Sequence, residues 1–180
     1  MPDGVSGRFG DLFDKTYDGD RMGNYLSGGL GQLVDGIKGD DNYKANKGFE
    51  WIGWKSTSHD VVPITFEYSE VRNFTLASFH CNNLFSKEME VFSSAKILFS
   101  FDGEKWSNVP EDFEYMPDHV MERARDVVIH LHHRIGKFIR FELKLASKWL
   151  LVSEVRIASI PVNKTFQLDL AELDSISIRS

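Results

Sequence analysis

Apolar and polar residues alternate with a period of two through most of the middle of this chain, the signature of half-buried β-strands. In 61–68, Val62, Ile64, Phe66 and Tyr68 alternate with Pro63, Thr65 and Glu67. In 95–101, Ala95, Ile97, Phe99 and Phe101 alternate with Lys96, Leu98 and Ser100. In 137–145, Ile139, Phe141, Leu143 and Leu145 alternate with Phe138, Arg140, Glu142 and Lys144. Further strands are predicted at 71–80, 127–132 and 150–158, and Asp102-Gly103 is a hairpin-type turn. The one helical candidate is short, at 118–126. Closely spaced strands with one apolar face each predict an all-β fold, a sandwich or jelly roll. Crossover helices are missing, so a doubly wound α/β sheet is excluded.

The 180 residues suffice for one domain with a real core. Residues 1–10 read as a linker, 11–160 as the domain, and 161–180, which follow a proline and lose the alternation, as a tail or the start of a stalk. The excess of 14 Phe over 5 Met fits sheet packing. A net charge of −6 argues against a nucleic-acid partner and an anionic membrane surface, but suits cations. No apolar run reaches the roughly 20 residues of a transmembrane helix. The N-terminus lacks the basic and apolar regions of a secretory signal, so an extracellular location implies a piece of a longer protein. Cys81 is the single cysteine; it excludes an internal disulfide and by itself favours a reducing compartment. The sequons at Asn73 and Asn163 point the other way.

Residues 28–36, Gly-Gly-Leu-Gly-Gln-Leu-Val-Asp-Gly, allow positive φ at several points and can aim the Gln32 and Asp35 oxygens at one place. Such a loop builds a turn, cradles a phosphate or holds a hard cation. No G-x-G-x-x-G precedes a helix and no Gly-Lys-Ser/Thr is present, which removes the phosphate cradle. Asp35 and Glu154, with the Gln32 amide and nearby carbonyls, could supply the 6–8 oxygens that calcium favours. His130 and His132, two apart on a strand, share a face and could begin a zinc site with His133, but an outward face running into a turn at 133–136 explains them as well. Cys81 reads as a buried thiol, because its neighbour His80 points to the opposite face. Asp40-Asp41 and Glu88/Glu90 read as solvated pairs. Trp51, Trp54, Trp106 and Trp149 could line a sugar-binding surface, with core and rim packing as the default.

Several stretches in order resemble one family: Thr16-Tyr17-Asp18-Gly19, Gly28 to Gly36, Trp51-Ile52-Gly53-Trp54, Arg72-Asn73-Phe74-Thr75, His80-Cys81-Asn82-Asn83, Leu131-His132-His133-Arg134 and Trp149 to Glu154. Over about residues 11–160 they are similar to the second, discoidin-like ectodomain of discoidin domain receptors, which are collagen-activated receptor tyrosine kinases. The resemblance implies a discoidin-like, galactose-binding-like β-sandwich jelly roll with no catalytic residues of its own. It places the module on the extracellular face of the plasma membrane, after a collagen-binding discoidin domain and before a juxtamembrane stalk. The implied partners are that preceding domain, collagen indirectly, and a second copy in a homodimer.

The resemblance also implies a structural Ca2+ site. Gln32, Asp35 and Glu154 would supply side-chain oxygens, Ile37, Phe49 and Trp51 backbone carbonyls, and Ser153 would help close the site from the last strand. Two departures matter. An early Asn ligand of the family is Phe13 here, so a side-chain oxygen at that place would have to come from Asp14. The bridged cysteines of the vertebrate pattern align with Ile97 and Phe141, so an apolar pair would fill that volume. The competing readings are a secreted carbohydrate-binding jelly roll and a hydrolase built on the histidine cluster.

Overall fold

The computed structural model describes residues 12–14, 20–22, 25–27, 33–34, 36–45, 50–56 and 60–162. The strands are β1 (Leu12–Asp14), β2 (Asp20–Met22), β3 (Tyr25–Ser27), β4 (Ile52–Lys55), β5 (Val61–Cys81), β6 (Ser94–Ser100), β7 (Glu111–Glu114), β8 (Arg125–Lys144) and β9 (Trp149–Pro161). β2 and β3 form a separate two-stranded ribbon, and the rest join in one antiparallel sheet ordered β4-β9-β5-β8-β6-β7, with β1 added on β5.

That single sheet becomes a sandwich because its two longest strands bend. Between the pairs Glu67–Phe138 and Arg72–Gly136, residues 68–71 of β5 face only Lys137 of β8. Between Phe74–Arg134 and Leu76–His130, residues 131–133 of β8 face only Thr75. Extra residues in one strand bend it and sharpen its twist. The first half of β5 and the second half of β8 thus form one layer with β1, β6 and β7. The second half of β5 and the first half of β8 form the other with β4 and β9. Strands that change layer at bulges make such corners. Phe79 of one layer meets Phe141 of the other edge-on at 5.0 Å, and Phe74 meets Phe99 at 5.7 Å.

The alternation read from the sequence is largely the alternation of burial, but not at the end of 95–101, where the strand stops at Ser100, Ser100 is buried and Phe101 is exposed. Val62, Ile64, Phe66, Ala95, Ile97, Phe99, Ile139, Phe141 and Leu143 are all core residues. Ile97 and Phe141, the positions of the absent bridge, lie directly opposite each other and are fully buried. Four expectations change. The stretches 61–68 and 71–80 are one strand, as are 127–132 and 137–145, because bulges rather than turns separate them. The turn expected at 133–136 is strand; His132 and His133, at φ 51° and 60°, carry the left-handed bend instead. β1 to β4 and β7 went unforeseen.

The helix expected at 118–126 does not form, and no α-helix occurs among the described residues. Asp118 Oδ1 accepts from the Val120 and Met121 amides at 2.8 and 3.3 Å. The Asp118 and Met121 carbonyls accept from Asn83 Nδ2 at 2.9 and 3.2 Å, and Met121 also takes Arg125 Nη2 at 2.7 Å. Side chains thus claim the Asp118 and Met121 carbonyls, which a helix would pair internally, while the Asp118 bonds to the two amides are of the N-cap kind. Val120 and Met121 remain exposed, so no apolar face rewards a helix either.

Two outcomes follow. Phe141→Ala should lower unfolding stability by about 3–5 kcal/mol in denaturant titration, because the two layers cannot close over the void; a loss under about 1 kcal/mol would contradict this packing. The hydrogen bond from Arg125, followed by those from the Val120 and Met121 amides, depresses the Asp118 carboxyl from 3.8 to about 2. A depressed acid stabilises the fold above its unfolded value and loses that contribution as pH falls through the folded one. Asp118→Asn should therefore be less stable than wild type at neutral pH and show a shallower stability loss between about pH 4 and 2. Parallel pH–stability curves would contradict it.

Candidate functional site

The loop after the glycine-rich stretch is fastened to the last strand. Leu33 and Val34 enter the core, fully buried or nearly so. The chain then turns at Gly36, whose φ of 83° is a conformation open mainly to glycine. Gly36 to Gly39 lie along the outer face of β9, and Asp41 beyond them bonds to Asn82 and Ala124. There β9 carries a one-residue bulge: His80 faces Glu154 and Cys81 faces Val152, leaving Ser153 extra. The bulge lets two consecutive side chains bond to the loop. Gly36 N–H donates to Glu154 Oε2 at 2.9 Å, and Gly39 N–H donates to Ser153 Oγ at 2.9 Å.

Burial records the same closure. A strand with one wet face alternates, yet Leu150 to Val155 are buried without a break. Glu154 is 1% exposed although it pairs with His80 on the face away from the core. The loop is what covers it. His80 completes the fastening: Nε2 lies 3.2 Å from Gly39 O, Nδ1 lies 2.7 Å from Asp126 Oδ1, and the ring stacks on Trp51 at 5.6 Å. Partial burial would raise the Asp126 carboxyl, but hydrogen bonds from Lys38 and His80 outweigh it and hold it below its ordinary value. Trp51, Met89 and Leu151 form a second small core beneath the loop.

Gly36 and Gly39 are thus bonded to Glu154 and Ser153, Gly39 lies against Trp51, and Ile37 between the two glycines is 59% exposed. Gln32, Asp35 and Phe49 lie outside the described residues, as do Asp14's side chain and Asn163. Phe13 stands in β1 opposite Glu67. Asn73 lies mid-strand in β5 between Ile135 and Ile160, half-buried, with Oδ1 buried and unbonded. Among the described residues no group of three or more His, Cys, Asp or Glu could hold a metal ion. What fits a cation is the chemistry of Glu154. A buried carboxylate costs several kcal/mol unless compensated. In this structure the Gly36 amide and Arg156, whose Nε lies 3.4 Å from Oε1, are among the groups that compensate it.

The remaining candidates dissolve into separate contacts. His132 bonds Glu111 at 3.0 Å, and its ring centre is 6.4 Å from that of His130. Cys81 is fully buried and burial pushes its thiol far up, so it is no nucleophile. Glu88 pairs with Lys148 and Glu90 with His119. Exposed Asp40 and Asp41 accept from the Asn42 and Ala124 amides. Trp51 is core-like, Trp54 packs on the main core, Trp149 lies under Lys55 and Trp106 under Arg140. His80 is the residue that sequence reasoning missed: its partners lie 41 and 46 positions away, and no local spacing announces them.

An antiparallel sandwich whose opening loop is bonded to its last strand is a discoidin-like module. The family model described as the discoidin domain-containing receptor 1/2 DS-like domain matches residues 1–159, and the chain belongs to that family. It is 34% identical over 168 residues to discoidin domain-containing receptor tyrosine kinase B of Caenorhabditis elegans, covering 91% of this chain and 21% of that receptor. It is 31% identical over 163 residues to human epithelial discoidin domain-containing receptor 1, covering 86% and 18%. The chain thus spans about a fifth of the curated relatives it matches. Among solved structures, the C-terminal domain of a Bacteroides fragilis chitobiase is similar at TM-score 0.58 and 12% identity, covering 86% of this chain and 97% of that one. The CBM32-3 module of a Clostridium perfringens family 31 glycoside hydrolase is similar at 0.56 and 15%, covering 83% and 92%. These share the fold.

One residue tests the fastening by itself. A Cβ on Gly39 would fall 2.5–2.7 Å from Trp51 Nε1 and Cζ2, and Trp51 is too buried to swing aside. Gly39→Ala should cost about 1–3 kcal/mol, or several degrees of melting temperature in a domain this size. An unchanged melt would mean that the loop does not lie on Trp51.

Proposed function

We propose that this chain is a non-enzymatic, extracellular discoidin-like module that supports collagen-responsive receptor tyrosine kinase signalling. Its part is mechanical: it holds the preceding, collagen-binding discoidin domain in place relative to the stalk. Collagen is reached through that domain, and the kinase belongs to the full-length receptor. A homodimer on the extracellular face of the plasma membrane suits this role, with Asn73 and Asn163 as glycan acceptors. The names of the relatives and the match to the family support this reading.

The observation that carries the reading is the nearly inaccessible Glu154 carboxylate, bonded to the loop that follows Gln32 and Asp35. Calcium there would be held by Glu154, Gln32, Asp35 and the carbonyls of Ile37, Phe49 and Trp51, with Ser153 beside it. It would tie the first part of the domain to the last, a structural role in which metal binding contributes folding free energy.

At 100-fold over its dissociation constant, calcium should stabilise the chain by about 2.7 kcal/mol, or roughly 5–10 °C, relative to EDTA. Glu154→Gln should abolish most of that difference. Identical melts of the wild type in calcium and EDTA would overturn the calcium site and leave the family assignment untouched.

A further inference from the structure

The connection 101–110 between β6 and β7 is built with more internal bonding than a spacer needs. Ser100 Oγ accepts from the Gly103 amide at 2.9 Å and donates to Asp102 Oδ1 at 3.1 Å. Asp102 Oδ1 also accepts the Glu104 and Lys105 amides, each at 2.8 Å. Ser107 closes the ring, its amide donating to Phe99 O at 2.8 Å and its Oγ accepting from Phe99 N at 3.2 Å. Gly103 has φ 80° and packs on the Phe138 ring, where a Cβ would fall 3.0 Å away. The loop is held in one shape before any ligand arrives, which removes an ordering cost from binding.

This frame borders a cleft of about 750 Å³, within the ~300–1,000 Å³ range of small-ligand sites. Its wall mixes two chemistries. Phe101, 45% exposed, and Trp106 give aromatic surface. Asp102, Asn108, Lys105 and Arg134 give hydrogen-bonding groups beside it. Arg140 sits 4.0 Å over the Trp106 ring and fixes its plane. Arg134 is also fixed, by Glu111 at 3.0 Å and by the Val109 carbonyl at 2.9 Å.

We propose that this cleft is a binding site for a neutral hexopyranose, free or at the end of a glycan. A pyranose has polarised C–H bonds on one face, which suit the negative π-face of an aromatic ring, and hydroxyls at its edge, which both donate and accept. Asp102 only accepts, Lys105 and Arg134 only donate, and Asn108 does both. Glu111 pairs with Arg134, and the net charge of −6 disfavours approach of a sulfated or carboxylated sugar. The site is independent of the Glu154 closure and of the receptor role.

The test is a ¹H–¹⁵N titration of the 180-residue chain with glucose, galactose, mannose, N-acetylgalactosamine and fucose, and with a heparin oligosaccharide as the charged comparison. At least one neutral sugar should shift the Trp106 indole N–H and the amides of 101–108, with Kd of about 1 mM. Trp106→Ala and, separately, Phe101→Ala and Asn108→Ala should each weaken it about tenfold or more. The two smaller truncations carry the test if the loss of Trp106 disturbs folding. No shift at about 50 mM of any neutral sugar would overturn the proposal, as would shifts centred elsewhere, equal binding by the variants, or a response to heparin alone.

Discussion

A carboxylate that points away from the core yet is almost closed off from water is the constraint on which this domain turns. Glu154 stands on the outer face of β9 and is inaccessible because Gly36 to Gly39 lie over it. An uncompensated charge there would drive the loop off, since solvating the carboxylate recovers several kcal/mol. The loop therefore stays only while its own groups, Arg156 and any bound cation satisfy that oxygen pair. Because β9 is the last described strand and the loop precedes β4, the closure joins segments more than a hundred residues apart.

The rest of the sandwich is arranged so that this closure is possible. The bulge at Ser153 turns two consecutive side chains to the loop where a regular strand would offer one. The larger bulges at 68–71 and 131–133 fold a single sheet into two layers and bring Phe79 onto Phe141. His132 and His133 in left-handed conformations cost roughly 1–2 kcal/mol each, which a core of fully buried Phe, Ile and Leu side chains can offset. The histidines that look like a metal motif in the sequence are thus at a corner of the fold, one of them bonded to Glu111.

Period-two alternation made the strands and the core legible, because burial on one face writes itself into every second residue. The same signal could not tell a bulge from a turn: both interrupt the period, so 133–136 read as a loop end and two long strands read as four. The apparent helix at 118–126 failed partly for a non-local reason, since Asn83 takes the Asp118 and Met121 carbonyls from outside it. Of the residues at the loop closure, Ser153 and Trp51 were singled out in the sequence by family resemblance, Glu154 also by its carboxylate chemistry, and the glycine at 36 by its need for positive φ. His80 was not, because its bonds to Gly39 and Asp126 exist only once the chain has folded.

Glu154 and Ser153 hold the loop to the last strand, and calcium is proposed to complete that hold. Amide hydrogen exchange at Gly36 and Gly39, read by NMR with calcium and with EDTA, addresses it most directly. The account predicts slow exchange at both amides in calcium and markedly faster exchange in EDTA, while core amides such as those of Ile97 and Phe141 change far less. Rapid exchange at Gly36 and Gly39 in both conditions, or equal protection in both, would contradict it.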